Sequence, residues 1–293
     1  MDTLLVGGSG FLGKQILHSL NLAGHNVTIM NRELLPQLEC GQIQADIFTP
    51  ESYRKRIEDL RPQWVIQTAW VSQSENYRYS SKNSLYKTAT IDFAIDCFKS
   101  GVEQLMILGS SAEYGSQGLP CDSRKSVPMP SDPYGRSKFE TFQILMDASR
   151  NYPCSFTWPR IFQVYGKGQD SNRLIPSVVD CIKFGRSMKI DNPKSVFDWI
   201  SSRDVASALM FCLNNRISGS VDIGTGVPHS VEEVLEQLVE LINVSHKEIP
   251  RISFGNEANS HSSLSVSPNS LIFEKGWLPS DDLVKGLGWV IEE

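Results

Sequence analysis

A chain of 293 residues, 40% of them hydrophobic, is long enough for one large α/β domain, or a domain with a smaller lobe, around a sizeable core. A net charge of -5, with no long run of like charge, excludes a general polyanion-binding surface, so no nucleic-acid partner is expected. Six cysteines without metal-like spacing and five histidines without an H-x-x-x-H pair exclude a zinc site and suit reduced, packed thiols in a cytoplasmic protein.

Taken in chain order, the first elements alternate. Residues 3–6 are a short apolar run bounded by glycine and predict a strand. Residues 14–23, with Ile16, Leu17 and Leu20 at helical spacing, predict a helix, and 26–30 a second strand. A third strand precedes Ala45-Asp46-Ile47. Residues 64–68 and 105–108 read as buried strands with a helix over about 84–100 between them. A further helix is expected over 134–150 and a strand over 154–159. This rhythm predicts an α/β fold, a Rossmann-like doubly wound parallel sheet covered on both faces.

Beyond this the rhythm loosens. Residues 166–195 have mixed patterning, and 221–223 suit one more strand. Ser230-Val231-Glu232-Glu233 has the form of a capping box, and Val231, Val234, Leu235, Leu238 and Ile242 continue one apolar helical face. Residues 255–270, rich in Ser and Asn, are expected to be irregular. No segment approaches the length of a membrane span, and the apolar run before the first glycines is too short for a secretory leader.

Val6-Gly7-Gly8-Ser9-Gly10-Phe11-Leu12-Gly13 follows the first strand and opens the first helix. Glycines at 7, 10 and 13 permit a sharp turn, close backbone approach to a pyrophosphate, and close helix–strand packing. The helix N-terminus adds amides and the positive end of its dipole. In this strand–turn–helix setting the spacing points to a bound dinucleotide. The second strand ends Met30-Asn31-Arg32, with no acidic residue to hold the ribose hydroxyls of NAD. Arg32 suits a 2′-phosphate, which favours NADP(H) over NAD(H); its other reading is a solvated surface arginine. Asp46 is a candidate acceptor for the adenine amino group, or a turn cap.

Asp132-Pro133-Tyr134-Gly135-Arg136-Ser137-Lys138 suits a helix start. Tyr134 and Lys138, four apart, share one helix face. A free tyrosine has a pKa of about 10; an ammonium beside it favours the phenolate, and so lets Tyr134 exchange a proton with a substrate alcohol. The same spacing also occurs as a plain surface pair. Gly109-Ser110-Ser111-Ala112-Glu113-Tyr114-Gly115 directly follows the strand at 105–108, and a serine at a strand's carboxyl end can hold the reacting oxygen.

Together, the glycine loop, the serine segment and Tyr134/Lys138 resemble the extended short-chain dehydrogenases, the NAD-dependent epimerase/dehydratase family. Pro159-Arg160-Ile161-Phe162-Gln163-Val164-Tyr165-Gly166, Asp198-Trp199-Ile200 with Asp204-Val205-Ala206, Ile223-Gly224-Thr225-Gly226 and Gly276-Trp277-Leu278-Pro279 extend the resemblance over nearly the whole chain. It implies Tyr134 as general acid/base, Lys138 as the residue that orients the ribose and lowers the tyrosine pKa, and Ser110 as the catalytic serine. It further implies cofactor contacts from Gly7, Gly10, Phe11, Leu12, Gly13, Asn31, Arg32, Asp46, Ile47, Ala69 and Phe162. Substrate contacts are implied for Ser110, Ser111, Gln163 and Arg173. Phe197 stands where the family often has an arginine for the nucleotide diphosphate, and Arg173 is the candidate replacement. The implied architecture is a dinucleotide-binding domain over 1–165, rejoined at about 196–225, and a smaller substrate-binding lobe over 166–195 and 226–293. Family members are commonly dimers, joined through a helix bundle that includes 134–150 here.

The residues after Ser110 bear on the reaction. Similar dehydratases carry an Asp-Glu pair where this chain has Ser111 and Ala112, and Glu113 is one residue out of register in a strand-like segment. The combined 3,5-epimerase/reductases use a cysteine at the Ala112 position. Hydride chemistry at a sugar carbon of a nucleotide sugar remains: 4-keto reduction is expected, with 4-epimerisation as the alternative. A non-catalytic cofactor-sensing or RNA-binding relative is the rival from another class, against which the intact Ser110, Tyr134 and Lys138 speak.

Overall fold

A computed structural model describes residues 1–71, 76–118, 120–243, 252–254 and 263–292. The chain begins β1 (Asp2–Val6), α1 (Phe11–Leu22), β2 (Asn26–Asn31), β3 (Gly41–Gln44), α2 (Pro50–Leu60), β4 (Trp64–Gln67), α3 (Lys82–Lys99) and β5 (Gln104–Ile107). Two short strands, β6 (Gly109–Ser110) and β7 (Pro120–Cys121), precede α4 (Pro133–Ser149) and β8 (Ser155–Ile161). There follow β9 (Gln163–Tyr165), α5 (Leu174–Lys183), β10 (Met188–Ile190), β11 (Val196–Ser201), α6 (Ser202–Asn214) and β12 (Gly219–Ile223). The last elements are β13 (Pro228–Ser230), α7 (Val231–Asn243), β14 (Ile252–Phe254), β15 (Ser263–Val266), α8 (Leu271–Glu274) and α9 (Leu283–Ile291).

Hydrogen bonding places β3-β2-β1-β4-β5-β8-β12 side by side, every neighbour parallel, with β6 continuing along β8. A parallel sheet must be covered on both faces, and period-two alternation sorts its side chains. Leu4 and Val6 face Tyr53, Phe93 and Leu145 of α2, α3 and α4. Leu5, between them, faces Ile16 and Leu20 of α1 and Leu209 of α6. The strand order reverses between β1 and β4, which opens a crevice at their carboxyl ends, where sheets of this kind bind ligands. This is the α/β architecture expected from the sequence.

A second, mixed sheet lies beyond it. β11 runs parallel to β9 and β15 and antiparallel to β13, and β15 continues onto β7. β10 pairs with β14. Over this sheet, α5, α7 and α9 bury Val178, Ile182, Val234, Leu238 and Leu287. The Ser230 box is formed: Glu233's amide donates to Ser230 Oγ at 3.1 Å, and Ser230's amide to Glu233 Oε2 at 2.8 Å. Residues 166–195, of mixed patterning, contain α5 and β10.

The expectation of irregular structure over 255–270 is corrected at its centre. Residues 255–262 lie outside the described residues, but Ser263–Val266 is a strand. Its serines do not disqualify it, because ladders on both sides satisfy its backbone. We propose the two-lobe division with the return to the main layer drawn at α6. β11 bonds to the second sheet, whereas α6 and β12 pack in the first. Among the described residues, no helix is long and apolar enough to cross a membrane.

Buried carboxylates tie the loops to these sheets. Asp198, fully buried, accepts from the amides of Thr225, Gly226 and Val266 at 2.6, 2.8 and 3.0 Å, and from the Thr225 hydroxyl at 2.7 Å. Asp204 accepts from the amide and hydroxyl of Ser280 and from the amide of Asp281. The sequence blocks around 198, 204 and 224 are therefore hydrogen-bonded loop clamps. Asp198→Ala leaves three backbone amides without their acceptor, at a cost of about 1–3 kcal/mol each where they stay dry. Urea unfolding is expected to show a loss of about 3 kcal/mol or more; a loss under about 1 kcal/mol would remove Asp198 from this role.

Candidate active site

The glycine loop runs from β1 into α1 at the crevice. Gly10 begins the helix with no side-chain cap, and there is no acidic residue in the first turn. The Gly10 amide closes the loop onto the Gly7 carbonyl at 3.0 Å. A Cβ at Gly13 would run into that carbonyl and come within 2.8 Å of Gly8 Cα, so only glycine lets α1 start flush against the loop. Thr68 Oγ1 holds the far wall, donating to the Val6 and Gly7 carbonyls at 2.9 and 3.1 Å. The arrangement is a cradle of amides for an anion.

Asn31 ends β2 and accepts from Ser9 Oγ at 3.2 Å, while its buried Nδ2 has no partner among the described residues. Arg32 is exposed beside it, its carbonyl held by Gln44 Nε2 at 3.2 Å. Asp46 Oδ1 accepts from the Phe48 amide at 3.0 Å, which is the turn-cap reading. Ile47 is buried in the core, and Phe162 in a small cluster with Tyr114, Cys121 and Val266. Leu12 packs against the core, and Phe11 and Ala69 are half-buried. Burial raises the Tyr86 phenol, the charge of Arg32 pulls it back and that of Asp46 adds to the rise. Tyr86 packs on Trp70, whose ring lies 6.5 Å from that of Tyr134. The cradle, the unpartnered Asn31 amide and this aromatic line fit an extended dinucleotide between Arg32 and Tyr134.

Tyr134 is set by the start of α4. Asp132 Oδ1 caps the helix at the Gly135 amide (2.7 Å), and its Oδ2 takes Arg78 Nη1 at 2.7 Å. A Cβ at Gly135 would strike the Ala112 carbonyl, so the glycine lets α4 close onto the 3-10 turn Ser111–Tyr114. That approach brings Tyr134 beside Ser110, whose hydroxyl pulls the phenol down. The phenol is nevertheless raised, not lowered as the sequence suggested. Burial dominates, the Tyr77 phenol adds to it, and Ser110 and Arg78 oppose it without winning. Lys138 gives no direct help. Its Nζ donates to the Leu108 carbonyl at 2.6 Å, sits 3.9 Å from the Trp70 ring centroid and is 6.0 Å from that of Tyr134. Burial pushes Lys138 down to about 7, with Glu113 resisting.

Glu113 does turn away from the crevice, as expected, but for a different reason. The segment is a 3-10 turn, and Glu113 closes a capping box on it. Its carboxylate accepts from the Ser110 amide at 2.9 Å, Trp158 Nε1 at 2.8 Å and Arg160 Nε at 2.7 Å. On the substrate side, Ser111 is half-buried beside Ser110, and Gln163 lies on β9 opposite Trp199. Arg173, preceding α5, lies with its guanidinium 4.6 Å from the Tyr77 ring centroid. Tyr77 in turn packs edge-on to Tyr134 at 5.1 Å. Sequence reasoning missed Trp70, Tyr77 and Arg78. The one available signal was an aromatic residue just past the carboxyl end of β4, at the reversal of strand order.

Residues 3–224 match the NAD dependent epimerase/dehydratase family. The chain belongs to that family. It is thus an enzyme of the extended short-chain dehydrogenase/reductase class. A UDP-glucose 4-epimerase of Azospirillum brasilense is 25% identical over 321 residues, covering 97% of this chain and 89% of that one. A GDP-6-deoxy-D-talose 4-dehydrogenase of Aggregatibacter actinomycetemcomitans is 25% identical over 272 residues, 86% of this chain and 87% of that one. The solved structure of a Thermus thermophilus UDP-glucose 4-epimerase in complex with NAD shares the fold, with a TM-score of 0.84 at 22% identity over 99% of this chain and 98% of that one.

For this family member, the Lys138 amine is expected to titrate near pH 7 in the cofactor-free protein, against 10.5 for an unburied lysine. Carbon-13 NMR of labelled lysine, assigned by the resonance lost in Lys138→Met, measures it. A folded-state pKa below the unfolded one means the native state binds fewer protons between the two. Relative to Lys138→Met, the wild type should therefore gain stability as pH rises from 7 toward 10. A midpoint near 10 would contradict the burial of an ammonium there.

Proposed function

We propose that this enzyme carries out NAD(P)-dependent hydride chemistry at a sugar carbon of a nucleotide sugar, specifically reduction of a 4-keto group. The observation that carries the reading is the placement of Tyr134 beside Ser110 at the crevice by the close approach of α4, with Glu113 committed to Arg160, Trp158 and the Ser110 amide. Elimination would need a further acid and base, and the nearby carboxylate is not free to serve.

Gly7, Gly10, Phe11, Leu12 and Gly13 would hold the pyrophosphate. Asn31, Arg32, Asp46 and Ile47 would hold the adenosine, and Ala69, Lys138 and Phe162 the nicotinamide riboside. When bound, the dinucleotide supplies or accepts hydride. Tyr134 donates its proton to the sugar oxygen, and Ser110 fixes that oxygen by hydrogen bonding. A raised phenol suits this direction, because the acid enters the reaction protonated. Lys138 orients the ribose. Ser111 and Gln163 line the sugar, and Arg173 faces the diphosphate in place of the arginine absent at Phe197. Arg32, beside a strand end with no carboxylate, supports NADP(H) over NAD(H).

The second reading is 4-epimerisation, with the same three catalytic residues and a retained cofactor. The relatives named UDP-glucose 4-epimerase favour it. Six free cysteines support a reducing, cytoplasmic setting. The family resemblance supports a homodimer joined through a helix bundle that includes α4.

The test follows NADPH and NADH absorbance with a panel of nucleotide-linked 4-keto-6-deoxyhexoses, with product analysis alongside. Net NADPH oxidation is expected, lowered by roughly 100- to 10,000-fold in Tyr134→Phe. Arg32→Ala should raise the KM for NADPH and leave that for NADH unchanged. Interconversion of C4 epimers without net oxidation would replace reduction by epimerisation. Cofactor binding with neither reaction would overturn the sugar-nucleotide reading.

A further inference from the structure

Lys138 is 3% exposed, so its ammonium needs partners from the protein. The groups facing it come from several elements. Tyr134 lies on its own helix, with the ring centroid 6.0 Å away. Trp158 of β8 lies 5.8 Å away, and the Leu108 carbonyl accepts at 2.6 Å. Glu113, in the 3-10 turn, favours the ammonium, but its carboxylate is bound to Arg160 at 2.7 Å. Tyr77 and Arg78 act on Tyr134 beside it. The closest ring is that of Trp70, whose centroid lies 3.9 Å from Nζ. An indole face is the strongest neutral aromatic partner for a cation, and more so where water is excluded.

The indole is not free to swing. Trp70 Nε1 donates to Asn83 Oδ1 at 3.0 Å. Asn83, 1% exposed, donates onward through Nδ2 to the Tyr77 and Ser80 carbonyls at 2.7 and 3.0 Å. One amide side chain thus fixes both the ring over Lys138 and the turn that carries Tyr77 against Tyr134.

We propose that Trp70 is a positioning residue that acts through Lys138: its fixed indole face holds the buried ammonium beside Leu108 and keeps it cationic next to Tyr134. The proposal rests on the reading of Tyr134 and Lys138 as the catalytic pair. Its first readout, however, is independent of turnover. In cofactor-free protein carrying labelled lysine, the Lys138 midpoint is followed by NMR in wild type, Trp70→Leu and Trp70→Phe. Trp70→Leu is expected to lower the midpoint by about one pH unit. Trp70→Phe keeps a weaker face, should lower it less, and keeps the test available if the leucine variant does not fold. In the ketoreductase assay, the high-pH limb of kcat should move down with the midpoint in Trp70→Leu and return most of the way in Trp70→Phe. A midpoint unchanged in both variants overturns the proposal, whatever happens to the rate. A midpoint that moves in a protein showing no turnover supports Trp70's hold on Lys138 and counts against the proposed reaction instead.

Discussion

The buried carboxylate of Glu113 is the interaction on which the rest of the site is built. A lone charge at full burial costs several kcal/mol, and this one is tolerated because three donors meet it, one of them the oppositely charged Arg160. Through it, the Ser110 amide is fastened to Trp158 and Arg160 on β8. Arg160 Nη1 reaches Tyr114 Oη at 3.1 Å, and that hydroxyl donates to Asp222 Oδ1 on β12 at 2.8 Å. Burial pushes the Asp222 carboxyl up to about 7 against the pull of Tyr114 and Arg160. The chain of contacts crosses three neighbouring strands. Ser110 is therefore held by the sheet itself, and the close approach of α4 at Gly135 brings Tyr134 to a fixed oxygen.

The electrostatics of the crevice follow from its dryness. Burial moves Tyr134 and Lys138 in opposite directions, each toward its neutral form. At Tyr134, Ser110 and the Arg78 charge work against this; at Lys138, the Glu113 charge and the Trp70 face do. A phenol kept protonated is an acid ready to give its proton to a developing alkoxide, which suits the proposed reduction. The rings of Tyr86, Trp70 and Tyr134 follow one another along the crevice.

What was legible in the sequence was what local chemistry dictates. Apolar runs at 3–6, 64–68 and 105–108 had to be buried strands, and the glycine spacing at 7, 10 and 13 could only serve a tight strand–helix turn. The four-residue spacing of Tyr134 and Lys138, and the Ser230 box, were legible for the same reason. Less legible were features fixed by distant partners. Ser263–Val266 forms a strand because β11 and β7 stand on either side of it. Glu113, Arg160 and Asp222 are buried together by three segments far apart in the chain, which no short-range pattern joins. Tyr77 and Arg78 reach the site through the 3-10 turn at Tyr77–Tyr79 and its docking on α4, which no short-range pattern encodes. The direction of the Tyr134 shift was missed for the same reason: spacing shows that Lys138 is near, but not that its ammonium faces Leu108 and Trp70.

In the proposed reaction, hydride moves between the dinucleotide and a sugar C4 while Tyr134 moves the proton. The most direct measurement supplies reduced cofactor deuterated at the nicotinamide C4 with a nucleotide-linked 4-keto-6-deoxyhexose and locates the label in the product by NMR. Deuterium bound to the sugar C4, appearing far more slowly in Tyr134→Phe, is the result expected. Product that carries no deuterium at C4, or labelling at an undiminished rate without the Tyr134 hydroxyl, would contradict it.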